Sequence, residues 1–301
     1  MASGLAMAQA AAKPVPSAPA QQVADQAAKD AQKPATAAQP AVLTGGTKVA
    51  PEPKTKEEEA AMKAVIAKMS DPAAMTAAAD DFSAKYPNSN VRGMLYRQIM
   101  LVYEQQGADD KAYEAGRKAM TFDPDDPLTL VHCSMYLSSH THDSDLDKDE
   151  RLRDAKKMAN DGLANIDQLR LNAQSPEAEK QKIKDAVRSE AYEALAIAAQ
   201  ATKDWPTAEA NYAKSMELSP DPATVLRLGF SQQMQNKLDA ALASYTQAID
   251  LGTKLQADQV VRIATAQKES VEKVLAKRKA AMPTAPATTP ATPAAPQTPK
   301  Q

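Results

Sequence analysis

The chain has 301 residues, 25% of them charged, and its 36 Lys and Arg against 38 Asp and Glu leave a net charge of -2. So balanced a surface offers no global field for steering nucleic acid or an acidic membrane. One cysteine excludes an intramolecular disulfide, a zinc site of three or four thiolates and a Cys-x-x-Cys redox pair. No stretch approaches the ~20 apolar residues that a membrane-spanning helix needs. Apolar residues reach 43% but aromatic ones only 4%, and an alanine-rich interior suits thin layers of α-helix rather than a thick sandwich.

The opening MASGLAMAQAAAKP places Ala-x-Ala at Ala6 to Ala8 and at Ala8 to Ala10, directly before Pro- and Ala-rich sequence, as the end of a secretory signal does. Residues 1–54 therefore read as a signal-peptide remnant, with its start upstream of this Met, followed by a disordered linker. Export to the periplasm or cell envelope is the expectation, a cytoplasmic location the alternative. After Met282 the chain runs PTAPATTPATPAAPQTPKQ. Neither end buries enough apolar surface to offset the entropy of ordering it, so 281–301 is expected as a second disordered tail and 55–280 as the folded domain.

Inside that domain helix punctuation recurs. Asp71-Pro72, Asp126-Pro127, Asp221-Pro222 and Ser175-Pro176 each put a capping oxygen before a proline whose missing N–H costs nothing at a helix start. Pro87, Pro124 and Pro220 follow apolar-periodic runs, where proline stops a helix. The order is helix, stop, helix.

The segments between these signals repeat. Tyr96, Ala112, Ala119 and Pro124 are spaced 16, 7 and 5 residues apart; Tyr192, Ala208, Ser215 and Pro220 keep the same spacings, and Val225, Ala241 and Ala248 give 16 and 7 again. Small residues at fixed places let two antiparallel helices approach closely. Residues 93–126, through Tyr96, Tyr103, Gly107, Ala112, Ala119 and Pro124, resemble a tetratricopeptide repeat, a 34-residue helix-turn-helix unit. They depart from it at Ile99-Met100, where Leu-Gly is usual, and at Gly116, where an aromatic is usual. Residues 189–222 match through Tyr192, Leu195-Ala196, Ala208, Tyr212 and Pro220, with Trp205 opening the second helix. Residues 222–255 match through Leu228-Gly229, Leu238, Ala241, Tyr245 and Ala248. Degenerate units are expected at 55–88 and 127–170, and a capping helix at 256–280, with Val260, Ile263, Val271, Val274 and Leu275 inward. In 127–170, Leu130 to Ala155 spans 25 residues rather than 16, a 9-residue insertion.

The resemblance implies an all-α, right-handed α-α superhelix whose concave face binds a peptide or partner protein. Residues four and seven apart on the first helices mark that groove: Arg97, Leu101 and Glu104; Val131 and Met135; Glu193, Ile197 and Gln200; Leu226, Phe230 and Gln233. Arg97 is the one basic member, so a clamp for an acidic peptide terminus is disfavoured. Trp205 reads as core. Phosphate loops, His-Glu-x-x-His and Gly-x-Ser-x-Gly are absent from the sequence, which gives no local signature of catalysis and calls for no cofactor.

The insertion, SSHTHDSDLDKDE over 138–150, raises an alternative: a divalent-metal-responsive protein using His140, His142, Asp143, Asp145 and Asp147, with His132 reaching in from the helix. Lys148 stands where a calcium loop needs glycine. A capping box from Asp147 and Glu150 accounts for much of the charge.

Overall fold

The computed structural model describes residues 51–281 except residue 173. The Ala-x-Ala sites, nearly all of the N-terminal linker and the tail beyond Ala281 lie outside these residues. Among the described residues there are eleven α-helices and no strand: α1 Lys56–Ile66, α2 Pro72–Lys85, α3 Arg92–Gln105, α4 Asp109–Phe122, α5 Pro127–Ser139, α6 Lys148–Ala164, α7 Glu177–Ala201, α8 Trp205–Leu218, α9 Pro222–Met234, α10 Leu238–Lys254 and α11 Asp258–Ala281. A 3-10 turn, Ile166–Gln168, follows α6.

Aspartate-proline pairs start the helices as their chemistry dictates. Asp71 accepts from Ala73 N and Ala74 N, Asp126 from Thr129 N and Asp221 from Thr224 N. In the last two the threonine hydroxyl also donates to the same carboxylate, at 2.6 and 3.1 Å. Two expected starts differ. Pro176 itself holds the capping position of α7 with no side-chain bond, and Asp147 makes no capping bond to α6, because Asp147 sits near φ -100°, ψ 15° rather than in the extended conformation that aims a cap inward.

The helices pack in pairs, α3 on α4, α5 on α6, α7 on α8 and α9 on α10, and each second helix also packs on the first helix of the next pair. This is an α-α solenoid of the tetratricopeptide type. Three of the pairs share one turn. Gly107, Lys203 and Asn236 take positive φ of 68°, 60° and 62°, and the amide that follows each reaches back to Tyr103 O, Ala199 O or Gln232 O at 2.9–3.0 Å, the left-handed stop that satisfies the last carbonyls of a helix. Gln256, with φ 58°, repeats it between α10 and α11.

Close approach comes from the small residues. Ala112, Ala119, Ala155, Ala208, Ala241 and Ala248 are all buried, and a Cβ on Gly229 would stand 2.8 Å from the Tyr245 ring. The Tyr212 and Tyr245 rings are fully buried, their hydroxyls donating to Gln200 and Gln233 at 3.1 and 2.6 Å. In α11, Val260 and Val271 are buried, Ile263 and Leu275 half-buried and Val274 exposed: no further helix follows in the described chain to cover its outer side.

Candidate partner-binding cavity

A cavity of about 320 Å³ opens on the inner face of the solenoid, with walls from α3, α4, α5, α7 and α9. Its position follows from a departure in the repeat. Tyr212 and Tyr245 each lie four residues after a buried alanine, Ala208 or Ala241, and each donates to a glutamine eight residues before that alanine. In the earlier unit the buried alanine is Ala112, the ring position is Gly116 and the acceptor position is Glu104. No tyrosine is present for Glu104 to accept from. A Cβ on Gly116 would stand 2.5 Å from Cys133 Sγ and 2.9 Å from Met100 Sδ, so these sulfur side chains close over the missing ring and Glu104 turns into the cavity.

There it meets His132. Both Glu104 carboxylate oxygens lie 2.8 Å from His132 Nδ1, and Glu190 Oε2 lies 3.5 Å from Nε2 on the other edge of the ring. Burial works to lower the His132 pKa, but the two carboxylates outweigh it and hold the imidazolium up to about 9. At neutral pH one proton charge is thus shared between two carboxylates. Burial on the inner face pushes the Glu190 carboxyl above its ordinary range, with His132 opposing and Glu104 adding to the rise, although 47% of its side chain still meets solvent. Arg227, the other cation of the wall, is committed to Glu193 at 2.5 Å, both side chains buried.

Aromatic rings form one side. Tyr113 stacks on Tyr136 with centroids 4.4 Å apart, and Tyr136 on His140 at 4.3 Å. Tyr136 donates to Asp110 at 2.5 Å, and His140 Nε2 lies 3.4 Å from Asp109. Burial, reinforced by Glu104, pushes the Cys133 thiol up to about 12, so it stays protonated and packs as a small apolar group rather than acting as a nucleophile.

Of the residues that helical spacing assigned to the groove, Glu104, Met135 and Ile197 line this cavity. The others hold the walls together. Arg97 forms a buried ion pair with Asp126 at 2.9 Å; Glu193 is the partner of Arg227; Gln200 and Gln233 receive the tyrosine hydroxyls. Val131 is fully buried where Gly162 allows it in, Leu226 is buried in the α9–α10 core, and Leu101 bridges two apolar clusters. Phe230 is half-buried and meets Trp205 edge-on at 5.7 Å. The exposed stripe expected on the first helices is therefore largely a packed one, because each first helix also seats charged and polar groups from its neighbours. His132, Tyr113, Tyr136, Glu190 and Arg227 were not among the expected groove residues.

The acidic insertion gives no metal geometry. Asp143 pairs with Lys148 at 2.6 Å, Asp145 accepts from His142 N at 2.8 Å, and His140 is turned to Tyr136 and Asp109. Among the described residues no group of three or more His, Cys, Asp or Glu side chains is placed to hold a metal ion. Arg151 ties the loop back through Thr141 Oγ1 and the His140 carbonyl.

No family model matches the chain, and no curated protein matches it in sequence. Among solved structures it is similar to a thermophilic tetratricopeptide protein of Thermus thermophilus, TTC0263, with TM-score 0.44 and 15% identity over 70% of this chain and 98% of that one. It is also similar to Pseudomonas aeruginosa PilF, with TM-score 0.42 and 14% identity over 75% and 93%. The RpL4 assembly chaperone Acl4 gives 0.46 and 11% identity over 74% and 98%.

Proposed function

We propose that the helical domain over 55–280 is a protein-interaction scaffold, binding a segment of a partner protein along its inner face. The observation that supports this most is the cavity at His132, to which four consecutive first helices, α3, α5, α7 and α9, contribute side chains together with α4. A convergent, partly apolar recess with a few placed polar groups is the usual form of a binding site. Its floor of Met100 and Met135 adapts to the shape of a guest side chain.

Photo-crosslinking tests the reading. With a benzophenone amino acid at Met135, specific protein adducts are expected, and with the same group at the exposed Gln247 of α10 they are not. Equal adducts at both positions, or none at Met135, would contradict it. Export to the cell envelope, read from the Ala-x-Ala sites at Ala6 to Ala10, belongs to the same proposal. No helix among the described residues is long and apolar enough to cross a membrane. The N-terminal residue of the protein recovered from cells, near Ala11 if the signal is removed, decides it.

A further inference from the structure

We infer that the cavity at His132 receives a basic side chain, arginine or lysine, from an extended partner segment; the inference rests on the inner face being the partner-binding face. Charge, shape and ring chemistry of the wall all lead to it.

The charges on the wall do not cancel. Glu104, Asp109 and Glu190 contribute three carboxylates, and Asp110 stands just behind Tyr136. Against them stand the charges of His132 and Arg227, while the His140 ring lies 3.4 Å from Asp109. The Arg227 charge is already taken by Glu193, which lies outside the wall. His132 lies between Glu104 and Glu190, nearer to Glu104, and neutralises one carboxylate of the two. Glu190 is the more exposed, reaching the solvent with its charge only half answered. A guanidinium or ammonium arriving there completes the pair on the open side of the carboxylate. An acidic guest would face Glu190 and Asp109 with no uncommitted guanidinium or ammonium on the wall.

The rest of the wall suits the stem of such a side chain. Arginine and lysine carry three or four methylenes beneath a charged head and bury the stem on apolar surface while the head stays near water. Met100, Met135, Ile197 and the edges of Tyr113 and Tyr136 offer that surface, and Glu190 stands where the head would emerge. A volume of about 320 Å³ is near the small end of ligand pockets, room for one long side chain rather than a drug-sized molecule. The planar fork of arginine can pair with a carboxylate through two parallel bonds, so arginine is the better guest of the two.

Panning a random peptide display library on the full chain tests the assignment. Selected peptides should be enriched in Arg and Lys at one position, and replacing that residue by Gln in a synthetic peptide should weaken binding about tenfold, the worth of a hydrogen bond to a charged group. The Glu190→Gln chain should lose most of that discrimination. Because Glu190 is half exposed, this variant is expected to fold, which circular dichroism checks. Binding should weaken as salt is raised. Peptides selected without a basic residue, yet cross-linking to Met135, would overturn the basic guest and leave the inner face as the binding face. If no peptide is selected from the library, both readings fail. Tail lysines are the remaining occupant: if changing Lys13, Lys29, Lys33, Lys48 and Lys300 to Gln in the full chain raises peptide affinity, the pocket is filled by the chain itself and the partner assignment is wrong.

Discussion

The chain has two groups of histidines and acids, and the structure puts them to different uses. His140, His142 and three aspartates stand within eight consecutive residues, yet Asp143 and Asp145 turn to Lys148 and the His142 backbone, and Leu146 between the aspartates is fully exposed. His132, Glu104 and Glu190 are 28 and 58 residues apart, yet their side chains meet in a cavity. Nearness along the chain made a solvated turn, whereas convergence from three helices made a recess. The difference lies in desolvation: Asp143 in the turn stays exposed, so its pairing with Lys148 is weak, while His132 on the wall is largely buried and held charged by Glu104 and Glu190.

The contrast can be broken by substitution. The largest effect is expected from Arg227→Met, which leaves the buried Glu193 without its guanidinium. Removing one partner of a buried pair costs about 3–5 kcal/mol, measured by chemical denaturation, and a loss below about 1 kcal/mol would place this pair with the surface ones. His132→Leu should cost about 2 kcal/mol at neutral pH, as bonds to charged groups do. The sign follows from the raised pKa. The imidazolium contributes fully below the unfolded value of 6.5 and its contribution fades as pH rises through about 9, so wild type and variant should converge in stability above that pH. A smaller loss, about 1 kcal/mol, is expected for Gly116→Ala, because its Cβ must push aside Cys133 Sγ and Met100 Sδ, ends of side chains that can rotate. Smallest of all, Asp143→Asn with Asp145→Asn should change stability by no more than about 0.5 kcal/mol, and calcium or zinc should give no heat on titration. A saturable zinc isotherm lost in that double variant would restore the metal reading of the loop.

Much of the scaffold was legible in the sequence because its causes are local. An aspartate before a proline can cap a helix start, and Asp71, Asp126 and Asp221 do so here, whereas Asp123-Pro124 follows the end of α4 at Phe122. The spacing of Tyr, Ala and Pro reports the helix pairing because each small residue marks a crossing point. The inner wall was less legible. Arg97 and Glu193 were read as open to a ligand, but their partners, Asp126 and Arg227, lie 29 and 34 residues on, in the next unit. For Glu193 and Arg227 a signal was present, since opposite charges one repeat length apart fall side by side in a solenoid. Gly116 carried another. A glycine where the repeat favours an aromatic looked like decay of the pattern; Cys133 Sγ and Met100 Sδ take the place of the ring, and Glu104, with no tyrosine hydroxyl to accept from, meets His132 instead. Glu190 had no local signal, because Leu130 and Tyr192 lie 62 residues apart, well over one repeat length, which breaks the register that would have aligned it with His132.

The central claim is that His132 is held charged between two carboxylates in a recess that takes a guest. Proton-carbon NMR of the histidine rings reads it directly, since the chain has 3 histidines. The predicted His132 signal titrates near 9 and moves when an arginine peptide is added, while the His142 signal in the loop stays in place with peptide. A His132 ring that titrates near 6.5, or a peptide that moves His142 and not His132, would contradict it.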